Sequence, residues 1–234
     1  MIQEKANNSN DAALIIFARY PVPGQVKTRL AAEIGNTHAT AFYRACAEYV
    51  FNETEQVKNQ VSRYLFYSEP DDREKMIEWA GTDFMYREQT GCNLGERMNN
   101  AFETVFNEGA KKAVIIGTDA PDMSGNVVTN AIHTLDTHDA VIGLAYDGGY
   151  YLIGMNTPQP KLFSGIEWGS ENVFHDTLVK LSELKLTHAT LRSMLMDIDT
   201  GDNLQTWLRH CSPEHPLRKI ARECLDCERK LLYS

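Results

Sequence analysis

The chain has 234 residues, of which 43% are hydrophobic, and its formal net charge is −9. A chain of this length can bury a full core as one large domain. Its acidic balance argues against a nucleic-acid or anionic-membrane surface, because either would need a broad basic face. Its apolar runs fall short of the roughly 20 residues that cross a bilayer, and its N-terminus lacks the pattern of a secretion signal. We expect a cytoplasmic protein with a flexible N-terminus over 1–11 and a single domain over 12–234.

Strand-like apolar runs and helical periodicities alternate along the chain. In chain order the pattern predicts a strand at 13–18, a helix at 37–57, a strand at 63–68, a helix at 71–80, a strand at 83–87, a helix at 95–109, a strand at 113–117, a helix at 124–136, strands at 140–146 and 150–155, a helix at 171–184, a short strand around 195–198, a helix beginning near 200–202 and a final helix at 216–232.

This alternation is typical of an α/β fold with a mostly parallel sheet. The tight reversal Asp147-Gly148-Gly149 predicts that the sheet gains an antiparallel element there. Ligands in open α/β sheets bind beyond the carboxyl ends of the strands. We therefore expect the functional loops at 19–29, 89–97, 118–123, 147–150 and 197–202.

The first of these loops inverts the charge of the chain. Residues 12–32 contain Arg19, Lys27 and Arg29 and no acidic side chain. Two prolines stiffen the loop, Gly24 allows close approach to a ligand, and a helix-forming stretch follows. A strand, a basic loop and a helix N-terminus together favour a phosphate site over two solvated cations on a surface helix. The loop matches neither the Walker A motif nor the Gly-x-Gly-x-x-Gly fingerprint.

Acidic residues follow two of the predicted strands. Asp119 comes after the strongly apolar strand 113–117, where a buried strand needs no carboxylate, and it is a candidate ligand for Mg²⁺. Asp122 fits a helix cap better. Strand periodicity places Asp197 and Asp199 on one face, where a cation would relieve their repulsion. Asp199 could equally mark the start of the next helix.

Two polar turns are weaker candidates. Residues 89–98 form a glycine-punctuated loop that leads into a helix, with Arg97 in its first turn, where it could reach a phosphate or a ribose. The turn at 147–150 is by itself better explained as a hairpin. Neither turn identifies a function on its own.

Four segments, taken together and in this order, resemble a known group of proteins. They are FARYPVPGQVKTRL at 17–30, GTDAP at 117–121, DGGY at 147–150 and DIDT at 197–200. The chain is similar to uncharacterised GT-A-type transferases found beside radical-SAM or selenium-related proteins. It is more distantly similar to the phospholactate and molybdenum-cofactor guanylyltransferases. The resemblance implies a three-layer α/β/α sandwich with a mostly parallel mixed sheet, of the nucleotide-diphospho-sugar transferase (GT-A) type.

The resemblance also implies roles for individual residues. In such proteins the loop after the first strand holds the nucleotide phosphates, and the acid after the central strand binds a metal. Arg19 stands where the group often has Lys, and Asp119, flanked by Thr118 and Ala120, is not part of a clear Asp-x-Asp motif.

We therefore expect a transferase that uses Mg²⁺ or Mn²⁺, an activated nucleotide donor and a small-molecule acceptor. The assigned residues are Lys27, Arg29 and Asp119 for catalysis; Ala18, Arg19, Gly24, Lys27, Arg29, Gln89 and Arg97 for the nucleotide; Asp147, Gly148, Gly149 and Tyr150 for the acceptor; and Asp119 and Asp199 for the metal.

Three alternatives remain open at this level. The first is a nucleotidyltransferase that moves NMP from an NTP to a small phosphorylated or acidic acceptor and releases pyrophosphate. The second is a nucleotide-binding regulatory module without catalysis. The third, a Rossmann-type oxidoreductase, conflicts with the missing glycine fingerprint.

Overall fold

The computed structural model describes residues 10–68 and 71–231, the last five as backbone. The predicted flexible N-terminus over 1–11 therefore lies almost entirely outside the described residues. Within these ranges no helix combines the length and the apolar character needed to cross a membrane.

Within the described ranges seven strands lie in one sheet, and helices cover both of its faces. The strands are β1 (Ala12–Ala18), β2 (Ser62–Tyr67), β3 (Met85–Glu88), β4 (Lys112–Ile116), β5 (Ala140–Leu144), β6 (Tyr150–Met155) and β7 (His188–Thr190). The helices are α1 (Thr28–Ile34), α2 (Asn36–Glu55), α3 (Arg73–Ala80), α4 (Leu94–Asn107), α5 (Gly125–Thr134), α6 (Val173–Glu183), α7 (Gly201–His210) and α8 (Arg218–Leu231), with a short 3-10 helix at Pro160–Phe163.

The sheet is mixed, in the order β3-β2-β1-β4-β6-β5-β7. Strands β1 to β4 pair in parallel, whereas β6 pairs antiparallel with both β4 and β5. The antiparallel element predicted at the Asp147-Gly148-Gly149 reversal is confirmed. In that turn Gly148 has φ +88°, and Asp147 accepts a hydrogen bond of 2.9 Å from the Gly149 amide. The predicted three-layer α/β/α sandwich with a mostly parallel mixed sheet is also confirmed.

Strand β1 is apolar throughout because both of its faces are covered. Leu14 and Ile16 pack in the layer that contains α2, α3 and α5. Ala13 and Ile15 pack on the other face, against α4 and α6. A strand buried on both faces has no reason to alternate between apolar and polar residues. Strand β1 is third in the order of seven strands, so its carboxyl end lies near the middle of the sheet.

A third apolar cluster joins the first two helices to the last two. Helices α1, α2, α7 and α8 pack together around residues that include Phe42, Ile198 and Trp207. The amide of Ile198 also donates a 3.0 Å hydrogen bond to the backbone oxygen of Asp119. This packing brings the segment before α7 beside the end of β4.

Two local predictions are wrong. The strand expected around 195–198 is reduced to a single bridge between Leu195 and Ala145, and the edge position is taken by β7, which the periodicity did not indicate. Asp122 does not cap α5. The helix begins after Ser124, and Asp122 instead accepts a 2.9 Å hydrogen bond from the indole of Trp207.

Candidate active site

The basic loop ends at a lysine whose ammonium group lies between two carboxylates. Lys27 Nζ is 2.7 Å from Asp119 Oδ1 and 2.9 Å from Asp199 Oδ1. The Lys27 side chain is only 4% exposed. Its backbone is left-handed, with φ 49° and ψ 46°, a conformation that costs a non-glycine residue about 1 kcal/mol or more. The two ion pairs help to maintain this conformation, so the loop, β4 and the segment before α7 converge on one atom.

The electrostatics of this cluster keep Lys27 and Asp199 charged. Burial on its own would lower the pKa of Lys27, but the charges of Asp119 and Asp199 outweigh it and raise that pKa above its usual value. Burial opposes ionisation of Asp199 as well, yet Lys27 and then Arg29 lower its pKa. At neutral pH Lys27 is therefore an ammonium and Asp199 a carboxylate.

The cluster is buried on the lysine side and open on the other. Asp119 is 42% exposed, and Arg29, which is 71% exposed, lies 2.6 Å from Asp199 through its Nη2 atom. A guanidinium with this much freedom can turn toward an anionic ligand without leaving a buried charge behind. Asp119 and Arg29 are thus the members of the cluster that a ligand can reach directly.

A polar cavity of about 370 Å³ opens over this cluster. Seven of the residues predicted for catalysis, nucleotide or metal line it: Ala18, Arg19, Lys27, Arg29, Gln89, Asp119 and Asp199. They come from the end of β1, from the start of α1, from the residues after β3 and β4, and from the segment before α7. The structure therefore brings together most of the site that the sequence predicts.

Two predicted nucleotide-binding residues lie outside the lining of this cavity. Gly24 is in the basic loop with φ +81°, where its role is to allow the turn. Arg97 is in the first turn of α4, as predicted, but its Nε atom donates to the backbone oxygen of Gly91 at 3.2 Å.

Tyr43 on α2 was not predicted as part of the site. Its hydroxyl donates to the backbone oxygen of Arg19 at 3.1 Å and accepts from the Arg19 amide at 2.9 Å and the Thr118 hydroxyl at 3.3 Å. Tyr43 thereby ties the basic loop to the end of β4. In the sequence it is one apolar-periodic residue of a long helix, so no local signal separates it from core residues.

A second, more apolar cavity of about 240 Å³ adjoins the first. Its walls include Phe17, Leu94, Met98 and Tyr150, and it shares Phe17 and Asp119 with the polar cavity. Tyr150 is thus the one predicted acceptor residue among its lining residues.

The other predicted acceptor residues, Asp147, Gly148 and Gly149, form the turn before Tyr150 and do not line either cavity. A Cβ atom on Gly148 would lie 2.3 Å from the backbone oxygen of Glu171, so the turn packs closely on its neighbour. The turn therefore fixes the position at which β6 begins.

Asp197 also lines the apolar cavity. Burial, and next the charge of Asp119, raise its pKa to about 7. From the sequence, Asp197 and Asp199 share one face of a predicted strand, and Asp199 is the one predicted to bind the metal. In the structure Asp199 belongs to the polar cavity and Asp197 to the apolar one.

The donor atoms of the polar cavity fit a divalent cation. Asp119 and Asp199 already place oxygens within 2.9 Å of one cationic atom, Lys27 Nζ. Over the described part of the chain, no group of three or more His, Cys, Asp or Glu side chains could hold a metal by itself. Mg²⁺ commonly uses one or two carboxylates and completes its shell with water and substrate phosphates. Two carboxylates beside a basic loop match that pattern.

The chain matches a bacterial protein family and several solved structures. Residues 53–170 match DUF2064, described as uncharacterized proteins conserved in bacteria. A crystal structure from Desulfovibrio desulfuricans G20, provisionally described as a nucleotide-diphospho-sugar transferase, is 32% identical and covers 94% of this chain and 98% of its own, with a TM-score of 0.87. A comparison with curated proteins gives no match.

More distant structures share the fold. A cytidylyltransferase from Leptospira borgpetersenii serovar Hardjo-bovis is 14% identical, with 96% of each chain covered and a TM-score of 0.56. The CMP:2-keto-3-deoxy-manno-octonic acid synthetase, in a complex with CTP, is 12% identical over 83% of this chain and 95% of its own, with a TM-score of 0.53.

The sheet order and the site at its carboxyl edge define a protein of the GT-A-type transferase fold. The chain belongs to the DUF2064 family. This confirms the resemblance to uncharacterised transferases that the four sequence motifs indicated.

Proposed function

We propose that the protein is a divalent-metal-dependent transferase that takes a nucleotide-sugar as donor. The observation on which this rests is the cluster of Lys27, Asp119, Asp199 and Arg29 inside a polar cavity at the carboxyl edge of the sheet. The similarity of the whole chain to the Desulfovibrio protein supports the same class of reaction.

The donor phosphates would lie in the polar cavity. Arg19 and Arg29 are the exposed cations there, and Arg19 is held at the cavity wall by a 3.0 Å hydrogen bond from its Nε atom to Ser68. Gln89 is fixed by a 2.8 Å hydrogen bond to the backbone oxygen of Phe66. Two guanidinium groups suit the planar, bidentate recognition of phosphate oxygens.

Asp119 and Asp199 would hold Mg²⁺ or Mn²⁺, which supplies charge neutralisation on the donor diphosphate. Both carboxylates would then share their charge between the ion and Lys27. Lys27 keeps the two acids together before the donor arrives.

Two transfer reactions are compatible with this arrangement. In glycosyl transfer the acceptor atom bonds to the anomeric carbon, the bond from that carbon to the diphosphate oxygen breaks, and the nucleoside diphosphate leaves with the electron pair. In nucleotidyl transfer the acceptor oxygen bonds to the α-phosphorus of an NTP, the bond from that phosphorus to the bridging oxygen breaks, and pyrophosphate leaves with the electron pair. A hydroxyl or amine acceptor also releases its proton, whereas a phosphate or carboxylate acceptor attacks through an oxygen that is already ionised. The by-product therefore identifies the reaction.

We also propose that residues 12–234 act as one domain on small molecules in the cytoplasm. The free thiols of Cys46, Cys92 and Cys211 support a reducing compartment.

A thermal-shift screen tests the proposal. The full chain is heated with NTPs, NDPs and nucleotide-sugars, each with and without Mg²⁺ or Mn²⁺, and the stabilising donors are then incubated with acceptors while pyrophosphate and NDP are measured. We expect metal-dependent stabilisation by at least one donor. The proposal is wrong if no donor stabilises the protein with either metal.

A pair of variants tests the metal assignment. Asp119→Asn should abolish the metal-dependent part of donor affinity, because it removes a hard anionic ligand from the cluster. Asp11→Asn removes an acid of an exposed surface pair with Lys111 and serves as the matched control. Equal metal dependence in the two variants would show that Asp119 is not a ligand.

A further inference from the structure

The two adjoining cavities differ sharply in charge. The polar cavity is lined by three cationic side chains, Arg19, Lys27 and Arg29, and by the acids Asp119 and Asp199. The apolar cavity is lined by two acidic side chains, Asp119 and Asp197, and, among the described residues, by no Lys, Arg or His. The two meet at Phe17 and Asp119.

We propose that the apolar cavity is the acceptor subsite and that it binds a small alcohol or amine with an apolar body and without phosphate or carboxylate. The assignment as acceptor subsite rests on the proposed transferase function. The choice of ligand chemistry rests on the cavity itself.

The side chains that line the cavity are suited to a ligand with an apolar body. Phe17, Met98 and Tyr150 present ring and thioether surfaces, and Leu94 stands at the α4 end as one of the few large apolar side chains that are strongly exposed, at 45%. Contact with a ligand would remove such surface from water. The volume of about 240 Å³ is below the roughly 300–1,000 Å³ of drug-sized pockets, so the ligand is small.

The charge of the cavity excludes anions. Asp119 repels a negative ligand directly, and Asp197, the other acid of the lining, offers an anion no favourable partner. The nearest ammonium, that of Lys27, is already held by Asp119 and Asp199 and lines the polar cavity instead. An anion would therefore lose its hydration without gaining a cationic partner.

The arrangement sorts two substrates by charge. An anionic donor is attracted to the polar cavity and repelled from the apolar one, while an alcohol or an amine can approach Asp119 from the apolar side. The ligand's hydroxyl or amine would form the new bond to the transferred group, the donor diphosphate oxygen would leave with the electron pair, and the proton would pass to water. The phosphorylated or acidic acceptor considered from sequence does not fit this cavity.

Three probes of one shape test the proposal on the full chain: cyclohexylmethanol, cyclohexylmethylamine and cyclohexanecarboxylate. Binding is measured by ligand-observed NMR without any donor. We expect the alcohol and the amine to bind in the millimolar range and the carboxylate to bind at least about tenfold more weakly. Added salt should weaken binding of the amine and leave binding of the alcohol unchanged. Equal or tighter binding of the carboxylate, or no binding of any probe, would overturn the proposal.

A charge-reversal variant places the binding at this cavity. Leu94→Arg puts a cation among the lining residues. It should increase the affinity for cyclohexanecarboxylate by about tenfold and weaken binding of the amine probe. Val179→Arg on α6 changes a residue of similar exposure, 43%, that does not line the cavity, and should behave as wild type. If both variants gain carboxylate affinity equally, the probes bind elsewhere and the proposal fails.

These outcomes are separate from those of the donor screen. Donor stabilisation with a failed probe series would leave the transferase function intact and remove this subsite. A positive probe series without any donor stabilisation would keep the ligand class of the cavity and remove its role as an acceptor subsite.

Discussion

Replacing Lys27 by Met tests the idea that the lysine is the internal counter-ion of the site. Methionine has a similar length and flexibility, so the change removes the ammonium with little change in volume. It leaves Asp119 and Asp199 facing each other without the atom that lies 2.7 and 2.9 Å from them.

The expected cost follows from the burial of the partners. Removing one member of a fully buried ion pair costs about 3–5 kcal/mol. Here the lysine is buried, but Asp119 is 42% and Asp199 29% exposed, and Arg29 still neutralises Asp199. Solvent screening therefore reduces the cost, and we expect Lys27→Met to lower the free energy of unfolding by about 1–2 kcal/mol.

The assay is urea unfolding of the wild type and the variant, with and without Mg²⁺ or Mn²⁺. A divalent cation can take the place of the missing ammonium between the two acids. We therefore expect the metal to stabilise Lys27→Met more than it stabilises the wild type. The matched control is Lys111→Met, which breaks an exposed pair with Asp11 and should cost well under about 1 kcal/mol without any metal effect.

The reasoning is refuted if Lys27→Met is as stable as Lys111→Met and equally indifferent to metal. Such a result would mean that the two carboxylates do not need a cation between them. A large loss of stability without any metal effect would support the role of Lys27 as counter-ion. It would also show that a divalent cation cannot take the place of the missing ammonium.

Three further predictions concern other residues. Arg29→Ala should change the free energy of unfolding by less than about 1 kcal/mol, because the side chain is mostly exposed, and should weaken donor binding about tenfold in calorimetry; unchanged affinity would remove Arg29 from the donor site. Because the pKa of Asp197 is raised to about 7 in the folded protein, the wild type should lose stability as pH rises from about 4 to 7. Asp197→Asn should therefore match the wild type near pH 4 and exceed it by about 1–2 kcal/mol at pH 8 in urea unfolding, whereas the same difference at both pH values would contradict the shift. Gly125→Ala would place a Cβ atom 2.9 Å from the backbone oxygen of Glu53 and should lower the free energy of unfolding by about 1–3 kcal/mol; a neutral result would mean that α2 and α5 can separate freely.

Local sequence signals predicted the elements near the carboxyl edge of the sheet well. Strand β1 is a continuous apolar run because both faces are covered, and the carboxyl ends of parallel strands are where α/β proteins bind ligands. These two rules were sufficient to place the basic loop and Asp119 at one edge of the sheet. The turn at 147–149 likewise follows from its own residues, since Gly148 supplies the positive φ that the reversal needs.

The errors occurred where distant contacts outweigh local preference. The segment around 195–198 has strand periodicity, but its backbone is held by Leu195 on Ala145 and by Ile198 on Asp119, which leaves no room for a regular ladder. Asp122 has the local pattern of a helix cap, yet its carboxylate accepts a hydrogen bond from the indole of Trp207 on α7. Neither partner can be identified from the neighbouring sequence.

The sequence by itself determined the α/β class, the charge-inverted loop after the first strand and the acids that follow β4 and precede α7, because each depends on residues close together in the chain. Tertiary structure decided what those charges do. Lys27 and Asp199 are 172 residues apart, and packing of α1 and α7 around a shared apolar cluster brings them to 2.9 Å. The same packing separates Asp199 from Asp197 into cavities of opposite character, a division that depends on long-range contacts and not on the spacing of two residues along a strand.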